Sequence, residues 1–154
     1  MKHVVFGTGP IGATLADQLA TAGHKVTAVN RSGKAPTGGG VELISGDAGD
    51  AAFATSVSEG ADAIYQVLNP PYTQWPELFP DLQASLLKAA RTTGAKLVTL
   101  ENMYGYGPTG GKPLTEDTPF KATGKKGRVR ASMARQLIEA HDGTATRTTI
   151  GRAS

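Results

Sequence analysis

The run Gly7-Thr8-Gly9-Pro10-Ile11-Gly12 constrains this chain more than any other feature. It follows the short apolar stretch His3–Phe6 and precedes a stretch of helical periodicity. That context asks for a strand, a tight turn, and a helix lying back against the strand. Gly7 permits the turn. Gly9 leaves a backbone position without a Cβ, which another group can approach closely, and Gly12 lets the helix pack against the strand. Pro10 suits the first helical turn, because the N–H it lacks has no intrahelical acceptor there.

The remaining chain repeats this alternation. Pro10–Ala22 reads as a helix, with Ile11, Leu15 and Leu19 four apart and Gly23 as a natural stop. Lys25–Asn30 reads as the second strand, Arg31–Gly40 as a polar loop and Val41–Ser45 as the third strand. A helix over Asp50–Glu59, capped by Asp50, leads to a fourth strand over Ala61–Leu68. Four prolines between Asn69 and Pro80 predict irregular chain in the first half of that segment, then a helix over Asp81–Thr92. Ala95–Leu100 is the fifth strand, Glu101–Thr123 a long Gly- and Pro-rich loop, Lys126–His141 a helix and Thr146–Gly151 a sixth strand. Apolar strands alternating with helices predict an α/β fold, a doubly wound parallel sheet of about six strands. At 154 residues the chain is one domain, 1–154, with no repeat and no linker.

Composition removes several classes. The chain has no cysteine, which excludes disulfide scaffolds, thiolate zinc sites and a Cys nucleophile. His3, His24 and His141 lack metal-ligand spacing, so no metal is expected. The basic cluster Lys121, Lys125, Lys126, Arg128, Arg130 and Arg135 lacks the interleaved aromatics of a nucleic-acid surface, and the net charge is only +3. No stretch approaches the roughly 18 apolar residues of a membrane span. The expected setting is soluble and cytoplasmic.

The glycine turn points its free N–H groups and the positive end of the helix dipole at one place, which suits a pyrophosphate. Gly7, Thr8, Gly9, Pro10, Ile11 and Gly12 are therefore expected to contact a nicotinamide dinucleotide. NAD-binding chains of this type carry an acid at the end of the second strand. Here Asn30-Arg31-Ser32 stands there. Arg31 can meet a 2′-phosphate with its planar fork, and Asn30 and Ser32 can add hydrogen bonds, so NADP is expected, with NAD as the alternative. Asp47 and Ala48, after the third strand, are expected near the adenine. Asp47 reads equally well as a turn residue.

GTGPIG at the N-terminus, Gly46-Asp47-Ala48-Gly49-Asp50 after the third strand and Met103-Tyr104-Gly105 after the fifth resemble the atypical or extended short-chain dehydrogenases/reductases, the NAD-dependent epimerase/dehydratase family. The resemblance implies a Rossmann fold and oxidoreductase or epimerase chemistry on a small carbonyl or sugar-like substrate. It also implies that Asn69 and Pro70, opening the loop after the fourth strand, border the nicotinamide. Tyr72 and Trp75 follow on that loop, as substrate contacts or as a surface-packed pair.

The family's chemistry uses a Ser or Thr, a Tyr, and a Lys four residues after the Tyr. In the matching segments the Ser position falls on Leu100, with Thr99 and Asn102 as neighbours that could substitute. The Tyr position falls on Lys126 and the Lys position on Arg130. Arg130 keeps a cation for ribose hydroxyls. Tyr104 is the nearest phenol, either an acid/base group or a tyrosine packed below the site loop. The candidate catalytic set is Tyr104, Lys126 and Arg130. A non-catalytic NAD(P)-binding or sensing module is the competing expectation. The family's C-terminal substrate part is expected to be missing after the sixth strand, leaving a surface that favours association with a second copy unless the Glu101–Thr123 loop folds over and closes it.

Overall fold

The computed structural model describes residues 1–35, 37–143 and 146–153. Its sheet has six strands: β1 (Lys2–Phe6), β2 (Lys25–Asn30), β3 (Val41–Ser45), β4 (Ala63–Gln66), β5 (Lys96–Asn102) and β6 (Thr148–Ala153). They lie in the order β3-β2-β1-β4-β5-β6, every pair parallel. Four helices connect or flank them: α1 (Pro10–Thr21), α2 (Ala51–Val57), α3 (Trp75–Thr93) and α4 (Lys125–Asp142). The strand order reverses between β1 and β4, and ligands of open parallel sheets bind at the carboxyl ends beside such a reversal.

Side-chain alternation divides the sheet into two unequal faces. Val4, Phe6, Val29, Ile64 and Leu97 meet Ala54 of α2, Leu86 and Ala90 of α3, and Leu137 of α4 in the larger core. Each fully buried Leu there contributes roughly 1.5–3 kcal/mol through removal of apolar surface from water. Val5, Val26 and Ala28 point the other way, where α1 covers them with Ala16, Leu15 and Leu19. Beyond α1 this second face is open. Tyr65, Val67, Val98 and Leu100 floor a trough of about 560 Å³ beside Ile11 and Leu15.

Several expected boundaries change, β6 among them, which runs Thr148–Ala153 rather than Thr146–Gly151. α3 begins at Trp75 rather than Asp81, with Pro76 in its first turn and Pro80 inside it. The first turn tolerates proline, and burial of Trp75 and Phe79 against Met133 outweighs the hydrogen bond lost at Pro80. β4 is shorter than the expected Ala61–Leu68. β5 runs on to Asn102, because Glu101 and Asn102 pair in register with Arg152 and Ala153 of β6. Glu101 is therefore strand, not loop. Pro36, within the expected 31–40 loop, lies outside the described residues.

Candidate functional site

The glycine turn closes β1 against α1 at the strand-order reversal. Gly7 has φ +104°, and a Cβ there would stand 2.8 Å from the Val67 carbonyl oxygen. A Cβ on Gly12 would stand 1.9 Å from the Gly7 carbonyl oxygen, so the helix cannot lie where it does with any other residue. A Cβ on Gly9 would meet nothing within 4 Å. The open space at Gly9 belongs to whatever approaches the turn, and the close packing at Gly7 and Gly12 belongs to the fold. The first intrahelical bond runs from Ala13 N–H to the Gly9 carbonyl at 2.9 Å. The Ile11 and Gly12 N–H groups ahead of it have no intrahelical acceptor. Among the described residues no side chain caps the helix start. Ile11 is exposed beside it.

Asn30, at the end of β2, ties this turn to the next loop. Its Nδ2 donates to Thr8 Oγ1 and, at 2.7 Å, to the Lys34 carbonyl. Its Oδ1 accepts from Gly33 N–H at 2.7 Å, with the Ser32 hydroxyl 3.2 Å away. The amide is thus saturated inside the protein, and Asn30 holds the loop rather than offering free donors. Arg31 is exposed, and its carbonyl accepts from Ser45 Oγ at 3.0 Å. Among the described residues its guanidinium has no hydrogen-bond or ion-pair partner. The loop presents a free cation next to the glycine turn.

At the end of β3, Asp47 Oδ1 accepts from Gly49 N–H at 2.9 Å, a local turn. Asp50 caps α2, accepting from Ala52 N–H at 2.9 Å and Phe53 N–H at 3.2 Å. Ala48 is buried. Asn69 is exposed, and the Pro70 carbonyl accepts from Trp75 Nε1 at 3.1 Å, fixing the chain that leads into α3.

The catalytic candidates separate into two environments. Tyr104 is 48% exposed, so it is not packed below a loop. It sits on the short turn Met103–Gly105, capped by Asn102, whose Oδ1 accepts from Tyr104 N–H at 3.0 Å. Trp75 and Tyr72 lie edge-on to each other with ring centroids 4.9 Å apart, and Tyr104 lies 5.7 Å from Trp75 and 6.4 Å from Tyr72. Lys126 Nζ rests over the Tyr72 ring, 3.8 Å from its centroid. Hydrogen bonding and charge from the Tyr72 side chain push the Tyr104 phenol above its ordinary pKa, while Lys126 pulls it down.

Arg130 lies inside the fold. Its Nε is 2.9 Å from Glu101 Oε2, and Nη2 donates to the Leu100 carbonyl at 3.2 Å. The guanidinium lies 4.3 Å from the Phe79 ring centroid and 5.4 Å from that of Trp75. Both partners are almost fully buried. Burial raises the Glu101 carboxyl to about 7, against the opposing pull of Arg130 and Arg152, and burial lowers the Arg130 pKa. This pair supports the aromatic cluster from beneath: Arg130 faces Trp75, and Trp75 faces both tyrosines. Glu101 was not among the expected site residues. The one signal for it is an acid that continues the alternation of the buried Leu97 and Thr99. Of the two neighbours that could stand in for the missing hydroxyl, Thr99 is buried toward the helical layer and Asn102 is occupied as a cap.

Among the described residues, the open space at Gly9 and the N–H groups without an intrahelical acceptor at the helix start fit the phosphate bridge of a dinucleotide. A comparison with curated proteins found no match. Among solved structures, the chain is similar to UDP-glucose 4-epimerase from Brucella ovis in complex with NAD, at 19% identity and TM-score 0.83. That match covers 98% of this chain and 51% of the epimerase. Similar likenesses hold to the dTDP-glucose 4,6-dehydratase of Streptomyces venezuelae with NAD bound (19% identity, TM-score 0.84, 99% and 55% covered) and to uronate dehydrogenase of Agrobacterium tumefaciens (21%, 0.80, 96% and 58%). These likenesses show a Rossmann fold, and the chain spans about half the length of each neighbour. A family model described as NAD(P)H-binding matches residues 7–146, and the chain belongs to that family.

Proposed function

We propose that this chain is the dinucleotide-binding part of an NADP-preferring oxidoreductase or epimerase acting on a small carbonyl or sugar-like substrate. The observation that carries the reading is the pairing of an open Gly9 with a free Arg31 on a loop fastened to the same turn through Asn30. The Ile11 and Gly12 N–H groups hold the phosphate bridge, and Arg31 pairs with the 2′-phosphate. A bound nicotinamide supplies hydride transfer. The chain's own contribution is to hold the cofactor and to move a proton at the Tyr104 phenol, which Tyr72 keeps protonated against the smaller opposing pull of the Lys126 ammonium.

The burial of Arg130 supports a second reading, a binding module without turnover. The cation at the position of the family's Lys is engaged by Glu101. Titration of the protein with NADPH and NADH, followed by reductase assays on small aldehydes, ketones and sugar nucleotides, separates the two. Tight NADPH binding with turnover lost in Tyr104→Phe supports the first reading. Tight binding without turnover on any substrate supports the second. Absence of binding to either cofactor refutes both.

A further inference from the structure

Tyr72, Tyr104, Lys125 and Lys126 surround a cleft of about 430 Å³ that also takes in Pro108 and Gly127. The volume is in the range of small-molecule sites. Two of its walls are phenol rings about half exposed to solvent, Tyr72 at 52% and Tyr104 at 48%. Their planes stand at 88° with centroids 6.4 Å apart, so the face of one and the edge of the other make an angled platform for a ligand ring. The other wall carries two lysines, and among the described residues no acid lines the cleft and neither lysine has an ion-pair partner.

The walls are held in place by close backbone packing. A Cβ on Gly127 would stand 2.7 Å from the Tyr104 carbonyl oxygen, which brings the start of α4 against the turn that carries Tyr104. Gly107 has φ +76°, and a Cβ there would stand 2.9 Å from the Lys121 carbonyl oxygen. Behind the rings, Trp75 is fixed by its indole bond to Pro70 and by Arg130. The platform therefore has a rigid back, and Lys126 Nζ already lies against the Tyr72 ring.

Resting on the proposed reading of this site, we infer that the cleft takes a substrate carrying a carboxylate or phosphate attached to a flat or apolar ring, the ring against Tyr72 and Tyr104 and the anion on Lys126. A neutral ring compound fills the platform but leaves the ammonium unpaired. A small anion without a ring pairs with the ammonium but leaves the platform wet.

The chain has a single tryptophan, so the indole N–H resonance of Trp75 is unique and reports on its two tyrosine neighbours. Labelled protein saturated with NADPH is titrated with 2-naphthoate, 2-naphthyl phosphate, 2-naphthol and acetate. The naphthoate or the phosphate should move the indole resonance and bind at least about tenfold more tightly than naphthol, and acetate should leave it in place. Whichever of the two binds more tightly identifies the anion. Lys126→Met should reduce the tighter probe to the affinity of naphthol, and Lys126→Arg should retain most of the preference. Equal affinity for naphthol and both anions, an unmoved indole resonance, or full anion preference in Lys126→Met overturns the inference. NADPH affinity measured on the same samples keeps the two questions apart. Lost probe binding with NADPH binding intact refutes the cleft alone, and lost NADPH binding with probe binding intact refutes the cofactor reading alone.

Discussion

Gly9 and Gly12 stand three residues apart in one motif, yet the structure assigns them opposite sensitivities. At Gly12 a methyl group would enter to 1.9 Å from the Gly7 carbonyl oxygen and 2.9 Å from Val67 Cγ2. The first contact is with backbone and cannot be relieved by a rotamer change, so the start of α1 must move away from β1. Overpacking of this kind costs about 1–3 kcal/mol, occasionally more, and a rigid backbone obstacle places Gly12→Ala at the upper end. For a domain of this size about 3 kcal/mol corresponds to a fall in Tm of roughly 6–12 °C. At Gly9 the space is empty and the backbone is extended, with φ −67° and ψ −175°, which a β-branched residue adopts readily. Gly9→Val should therefore melt within about 4 °C of the parent, the replacement of an N-cap glycine costing about 1 kcal/mol at most, while NADPH binding falls below detection. Thermal unfolding followed by circular dichroism and a titration of NADPH fluorescence measure both quantities. If Gly12→Ala melts with the parent, or Gly9→Val retains parental NADPH affinity, the division of labour within the turn is refuted.

Three further outcomes are expected. Arg31→Asp should weaken NADPH binding by at least about tenfold and shift preference toward NADH, through loss of the 2′-phosphate partner and gain of an acceptor for ribose hydroxyls. A parent protein that already binds NADH as tightly as NADPH contradicts that account. Arg130→Met should destabilise the protein at pH 8 by about 3–5 kcal/mol, the usual result of leaving one partner of a buried ion pair alone. A carboxyl raised from 4.5 to about 7 favours the protonated folded state, so Glu101 weakens stability as pH rises through that window. Arg130→Met should consequently recover toward the parent at pH 5, and a pH-independent deficit counts against the pair. The open trough floored by Tyr65, Val67, Val98 and Leu100 should drive association of this 154-residue chain, which light scattering would detect; a monodisperse monomer without hydrophobic-dye binding at high concentration argues the reverse.

The architecture was legible because local and global signals agree. The glycine turn, the apolar strands and the stop at Gly23 each imply the same alternation, and the doubly wound parallel sheet follows. What was not legible depends on contacts between distant segments. Prolines at 76 and 80 argue against helix locally, yet tertiary burial of Trp75 and Phe79 starts α3 before both. Glu101 looked like the opening of a loop because a lone acid rarely sits within a buried strand, and only its partner 29 residues later accounts for it. Sequence spacing aligned Arg130 with a ribose-holding Lys. The direction of its side chain is set by Glu101, Phe79 and Trp75, which no spacing displays. The clustering of Tyr72, Trp75 and Tyr104 was invisible for the same reason.

The saturated Asn30 amide has a consequence for how cofactor preference can change in this chain. Because it joins Thr8 to the backbone around Lys34, the glycine turn and the Arg31 loop form one mechanical unit. An acid introduced at position 30 to attract NAD would remove both donated bonds and loosen the glycine turn together with the Arg31 loop. Asn30→Asp should then lose affinity for both cofactors, where Arg31→Asp only exchanges one for the other. On the proposed reading, cofactor preference would change through the exposed Arg31 and not through Asn30, whose amide the fold already uses.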